Sequence, residues 1–149
     1  MRKAIALADA AARGGDVPIG AVLVAGQLVI EAKNEKEARP DVTAHAEMLA
    51  LQRAARELGT WRLCDATVYV TKEPCVMCAG ALVASRVKRL VFGCSDPKGG
   101  AAGSVFDILG SAKVNHHVDV TAGILETETS RQLQTFFSKR REEQEKSGL

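Results

Sequence analysis

The residues best suited to chemistry in this chain are a histidine, a glutamate and two cysteines, held in two short segments. Thr43-Ala44-His45-Ala46-Glu47 is the first and Glu73-Pro74-Cys75-Val76-Met77-Cys78 is the second. One imidazole and two thiolates suit zinc, and three protein ligands leave the fourth tetrahedral position to water. The Cys-x-x-Cys spacing lets both sulfurs reach one ion where a helix begins, and a helix N-terminus favours their negative charge. His45 and Glu47 stand two apart, and such residues do not share a helix face. A second ligand on the same face would lie three or four residues away. Glu47 therefore reads as a proton shuttle that approaches the water from another side, and the predicted chemistry is metal-assisted hydrolysis.

Taken singly, these residues have plainer readings. His45 alone reads first as a helix-cap or core histidine. Cys75 and Cys78 alone could be a redox pair, two buried cysteines, or half of a structural zinc site completed by Cys64 and Cys94. The last two form no second Cys-x-x-Cys. The joint pattern is far more specific, and a purely structural site has no need of a carboxylate beside an open position.

A scaffold must bring the two segments together. The chain has 149 residues, 46% of them hydrophobic, which suits one domain with one core. Twenty basic and 18 acidic residues leave a formal charge of +2, which neither marks nor excludes a nucleic-acid binder. The N-terminal stretch is interrupted by Asp9 and Arg13 and reads as an amphipathic helix rather than a signal peptide. No apolar run is long enough to span a membrane. The expectation is a cytoplasmic protein with reduced thiols.

Helical spacing predicts a helix over residues 2–13, stopped by Gly14 and Gly15. A hairpin follows, Ile19–Val24 and Leu28–Ala32 about a turn at Ala25-Gly26. Residues 35–43 read as a loop. The strongest helix runs from Thr43 or Ala44 to Leu58, where Gly59 ends it. Ala66–Thr71 reads as a strand, Pro74–Ser85 as a short helix and Val87–Phe92 as another strand. Residues 94–104 form a Gly- and Ala-rich loop, Val105–Leu109 one or two helical turns, and His117–Val120 a short strand. A final helix spans Leu125 to about Glu145. Alternating strands and helices imply an α/β sandwich with crossover connections.

The sequence resembles the cytidine and deoxycytidylate deaminase superfamily and, within it, the bacterial tRNA-specific adenosine deaminases. The resemblance covers nearly the whole chain. It lies in VPIGAVLV (Val17–Val24), TAHAE (Thr43–Glu47), EPCVMCAGAL (Glu73–Leu82), DPKGGAAGS (Asp96–Ser104), Asn115-His116 and FFSKRR (Phe136–Arg141). It implies a three-layer sandwich with a central five-stranded mixed sheet flanked by helices, and one Zn2+ per subunit held by His45, Cys75 and Cys78. The implied reaction is hydrolysis of adenosine to inosine at the wobble position of a tRNA anticodon, usually that of the arginine tRNA with anticodon ACG. The implied partners are the tRNA anticodon stem-loop and a second copy of the chain in a homodimer.

The same resemblance places Asn34 and the backbone of Ala46 against the substrate nucleoside. It puts Val17, Pro18 and Ile19 in the wall of the base pocket, with Leu82 and Val83 in its apolar neighbourhood. Asp96 and Lys98 fall in a loop that touches nucleotides around the target. From residue type alone, Asn34 reads equally as a loop-holding side chain, and Leu82 and Val83 as helix packing. Val105, Phe106, Ile108 and Leu109 read as core or dimer surface. The clusters Arg86-Lys88-Arg89 and Lys139-Arg140-Arg141 suit phosphate contacts or a solvated surface. His117 departs from the arginine found in many relatives, which could alter local RNA contacts. The alternatives are deamination of free guanine or a small cytosine nucleoside by the same zinc and glutamate, and an inactive structural zinc or RNA-binding protein.

Overall fold

Central strands that are apolar and buried on both faces call for helices on both sides of the sheet. A computed structural model describes residues 1–148. Its elements are α1 (Arg2–Arg13), β1 (Gly20–Ala25), β2 (Leu28–Lys33), α2 (Ala46–Leu58), β3 (Thr67–Lys72), α3 (Val76–Ala84), β4 (Arg89–Cys94), β5 (Asp119–Thr121) and α4 (Glu126–Lys146). The five strands form one mixed sheet in the order β2-β1-β3-β4-β5. β1 pairs antiparallel with β2 and β3, whereas β3, β4 and β5 run parallel. The expected five-stranded α/β sandwich is therefore the observed fold.

Register keeps like faces together. Leu23 sits beside Val68 and Val68 beside Leu90. These side chains enter the main core with Leu49, Ala50 and Ala54 of α2 and Ala79 and Leu82 of α3. The opposite face carries Gly20 and Gly93. A Cβ at Gly20 would lie 2.0 Å from the Ala4 carbonyl oxygen, and one at Gly93 would lie 2.6 Å from Thr129 Oγ1. So α1 and α4 cover this face: the backbone of α1 comes too close to Gly20 for a side chain, and at Gly93 the Thr129 side chain of α4 and the Thr71 carbonyl fill the space.

Most boundaries fall within two residues of expectation, and two differences have clear causes. α2 begins at Ala46, because Thr43 and Ala44 are held in a turn by the Asp41 side chain and backbone. The helical turns expected over Val105–Leu109 do not form. Val105 N and Phe106 N both donate to the Gly100 carbonyl, and Ala102 makes an isolated bridge to Asp107. Val105 and Phe106 consequently stand exposed, while Leu109 is buried.

Candidate active site

Two helix N-termini meet, and each presents a metal-ligand type of side chain from its N-cap position. His45 precedes α2 and Cys75 precedes α3, both with extended backbone and neither capping its own helix through its side chain. Their side chains are thus free to face each other. Cys78 lies one turn into α3, on the same side. His45 Nδ1 is 3.7 Å from Cys75 Sγ and 3.5 Å from Cys78 Sγ. The three ligand atoms all lie within 4.8 Å of one another. A tetrahedral zinc with Zn–S of about 2.3 Å and Zn–N of about 2.0 Å would hold sulfur and nitrogen about 3.5 Å apart. The donor set fits zinc by both type and spacing.

The electrostatics show what a cation would relieve. The Cys75 thiol is pulled down to about 3, first by the hydrogen bond from the Cys78 thiol and then by His45, against the effect of burial. The Cys78 thiol is pushed up by that same Cys75 sulfur, by burial and by Glu47. With no metal, one thiolate forms easily and the second is opposed. A divalent ion between them favours both thiolates together.

Glu47 is buried at the first turn of α2, and the Cys78 thiol donates to its Oε2 at 3.6 Å. Burial raises its carboxyl, partly countered by a backbone hydrogen bond and the nearby His45. A buried carboxylate in contact with the ligand cluster, yet outside the group of three, is the arrangement a proton carrier needs.

Asn34 does the capping that His45 does not. It is 4% exposed, and its Oδ1 accepts from Ala46 N at 2.8 Å. That partner is a donor, so the amide orientation is settled by chemistry. Asp16 performs a similar task nearby, accepting from Val17 N and from Glu37 N. It ties the segment before β1 to the segment after Asn34.

A third buried carboxylate, Glu73, organises the other side. Its Oε1 accepts from Asp96 N and the Ser104 hydroxyl, and its Oε2 from Ala102 N and Ser104 N. Asp96 in turn pairs with Lys72 at 3.1 Å and accepts from Lys98 N, leaving the Lys98 side chain exposed. Sequence reading quoted Glu73 as part of a motif and passed over Asp16. The available signals were an acidic residue directly before Pro74, a Gly100 and a Ser104 downstream, and an acidic residue after Gly14-Gly15.

The remaining expected site residues are distributed unevenly. Pro18 is buried, and Val17 and Ile19 are half-buried beside it. Leu82 and Val83 lie in the main core, at 0% and 7% exposure, which is the helix-packing reading of these positions. Asn115 accepts from Arg86, and His116 meets the Val87 carbonyl, so this stretch docks against the approach to β4. His117 pairs with Asp119 at the surface.

Similarity to known proteins agrees with this geometry. The profile of the MafB19-like deaminases matches residues 1–141. The tRNA-specific adenosine deaminase of Haemophilus influenzae is 51% identical over 145 residues, covering 96% of this chain and 84% of its own. The chain belongs to the tRNA-specific adenosine deaminase family. A structure from a study of A-to-I editing by tRNA:A34 deaminases superposes with a TM-score of 0.86 at 42% identity, covering 89% of this chain and 97% of that one. Guanine deaminase from Nitrosomonas europaea has a TM-score of 0.73 at 26% identity, covering 89% of this chain and 80% of its own. The fold is thus shared with free-base enzymes, while the sequence sides with the tRNA branch. This member of the family is a zinc-dependent deaminase, and its donor set fits the metal. Among the described residues, no helix is long and apolar enough to cross a membrane.

Proposed function

We propose that the chain hydrolyses adenosine to inosine at the wobble position of a tRNA anticodon, releasing ammonia. The observation that carries this reading is the convergence of His45, Cys75 and Cys78 with the buried Glu47 at two helix N-termini. Similarity to the tRNA-specific adenosine deaminases supplies the substrate class.

In this reading His45 Nδ1 and the two Sγ atoms would hold one zinc per subunit, which would supply a water of lowered pKa. Glu47 stays outside the metal shell and carries protons. It takes one from the attacking water and returns protons to the purine N1 and to the departing amine. The carbon–nitrogen bond breaks as the carbon–oxygen bond forms, and water plus adenosine balance inosine plus ammonia; this proton itinerary is the one known for zinc deaminases. Burial shields Glu47 from bulk water, so the proton it takes stays available for the leaving group.

The substrate contacts rest on the resemblance to the family. Asn34 spends its Oδ1 on Ala46 and keeps its amide N–H groups for the nucleoside. The Ala46 backbone, Val17, Pro18 and Ile19 border the base, and Leu82 and Val83 brace the helix beneath it. Asp96 and Lys98 face the flanking nucleotides. The target base has to leave its stack, which a single-stranded anticodon loop permits at low cost. The finer reading is the arginine tRNA with anticodon ACG, acted on by a cytoplasmic homodimer. An apolar groove between α2 and α3, bordered by Met48, Ala55, Trp61, Ala81 and Ala84, supports self-association.

The test is inosine formation on anticodon stem-loops, run beside free adenosine, cytidine and guanine. Zinc-loaded protein should convert the wobble adenosine, and stripping the metal with a chelator should abolish the product. Turnover of free guanine or cytidine with no RNA product would overturn the substrate assignment and leave the zinc chemistry standing.

A further inference from the structure

Glu73 is a buried carboxylate that the proposed reaction does not use. It is 2% exposed, and it lies between the end of β3 and the first cysteine ligand position. All four of its partners belong to one loop: Asp96 N at 3.1 Å, Ala102 N at 3.0 Å, Ser104 N at 3.1 Å and the Ser104 hydroxyl. Gly100 closes over the carboxyl group, where a Cβ would come within 2.4 Å of it. Two backbone bonds continue the same joint. Ala101 N donates to the Pro74 carbonyl, and Glu73 N donates to the Cys94 carbonyl.

The carboxylate thus does for this loop what several ladder bonds do for a strand. Every partner presents a donor, so both oxygens must be acceptors. A glutamine at this position would turn an N–H group towards Asp96 N or towards Ala102 N and Ser104 N, opposing donor to donor. The loop so held carries Asp96 and the exposed Lys98, and Glu73 supplies most of the side-chain bonds that set its position relative to Cys75, beside the two backbone bonds and the Lys72–Asp96 pair.

We propose that Glu73 is a positioning residue for the RNA substrate: by clamping the Asp96–Ser104 loop to the segment that carries Cys75, it fixes where flanking nucleotides meet the protein. The proposal rests on the reading of the site as an RNA deaminase. It separates two tasks at one joint, since Glu73 serves the RNA-facing loop and leaves the metal ligands to their own helix.

The test compares Glu73→Gln and Ser104→Ala with the unaltered, zinc-loaded chain. Three readouts are needed: zinc stoichiometry, amide hydrogen exchange over residues 96–104, and the split between KM and kcat on an anticodon stem-loop. For Glu73→Gln we expect one zinc per chain, faster exchange across the loop, and KM raised about tenfold or more with kcat changed less than about threefold. Ser104→Ala keeps the carboxylate and loses one hydroxyl donor, so it should shift KM and exchange in the same direction by a smaller factor. It also keeps the proposal testable if the glutamine variant does not fold. Loss of zinc or a fall in kcat at constant KM would overturn the proposal and place Glu73 with the metal ligands. Unchanged exchange and KM in both variants would overturn it as well. If the unaltered chain makes no inosine in RNA, the reading of the site fails; if it does and the variants match it, only the role of Glu73 fails.

Discussion

Replacing Asn34 with alanine should loosen the start of α2, and the expected cost can be worked from one contact. Asn34 Oδ1 accepts from Ala46 N at 2.8 Å, and the side chain is 4% exposed. Ala46 is the first residue of α2, where backbone N–H groups lack helical partners. His45 offers no side-chain cap, so alanine leaves a buried donor without an acceptor. An orphaned buried donor costs about 1–3 kcal/mol, and loss of a helix cap falls in the same range. With a urea m-value of about 2 kcal/mol per molar, the midpoint should fall by about 1 M. The assay is urea unfolding of metal-free protein at one fixed concentration, so that zinc does not contribute and any self-association acts at equal protomer concentration in both proteins. Asn34→Asp keeps an acceptor for Ala46 N and adds negative charge at the helix N-terminus, so it should retain most of the stability while losing the amide donors. A midpoint for Asn34→Ala within about 0.2 M of the unaltered chain would refute the assignment, because the capping bond would then contribute almost nothing.

Glu47→Gln should keep zinc binding and lose about 100- to 10,000-fold in turnover, measured as inosine formed under saturating RNA; retained turnover would remove Glu47 from proton transfer. Leu82→Ala should destabilise the fold by about 2–5 kcal/mol with little change in KM, because the side chain is wholly buried in the core. Calorimetry and steady-state kinetics on the same preparation would separate that from a pocket effect. Burial raises the Asp96 carboxyl, but the Lys98 N–H and the Lys72 ammonium outweigh it and leave the group below its ordinary 3.8. A carboxyl depressed in the folded state stabilises the fold fully above its unfolded value and ceases to do so as pH falls through the lower, folded value. Metal-free Asp96→Asn should therefore lose stability at pH 7 and show less further loss than the unaltered chain as pH falls below about 4, read from urea midpoints against pH.

The strands and helices were legible because their signals are local. The apolar, β-branched run Ile19–Val24 needs only its own composition to read as a strand. The spacing of Met48, Leu51 and Ala55 needs only the helical repeat. The zinc donors were legible for another reason, since His-x-Glu and Pro-Cys-x-x-Cys are rare as a joint pattern. Val105–Leu109 misled because its apolar spacing imitates a helical turn. Glycines at 100 and 103, with Glu73 drawing off the N–H groups of Ala102 and Ser104, give that backbone other partners.

Residue type and spacing alone determined which atoms can bind a metal and which segments form the strands and the main helices. Those properties belong to single side chains or to neighbours along the chain. Only the tertiary structure decided that Asn34 caps α2, that Asp16 and Glu73 are buried hydrogen-bond hubs, and that Leu82 and Val83 sit in the core. Each depends on segments far apart in sequence being brought within about 3 Å. Placing β3 beside both β1 and β4 sets those neighbours. A carboxylate looks the same in sequence whether water or four buried donors surround it, and the sheet order settles which surroundings it has.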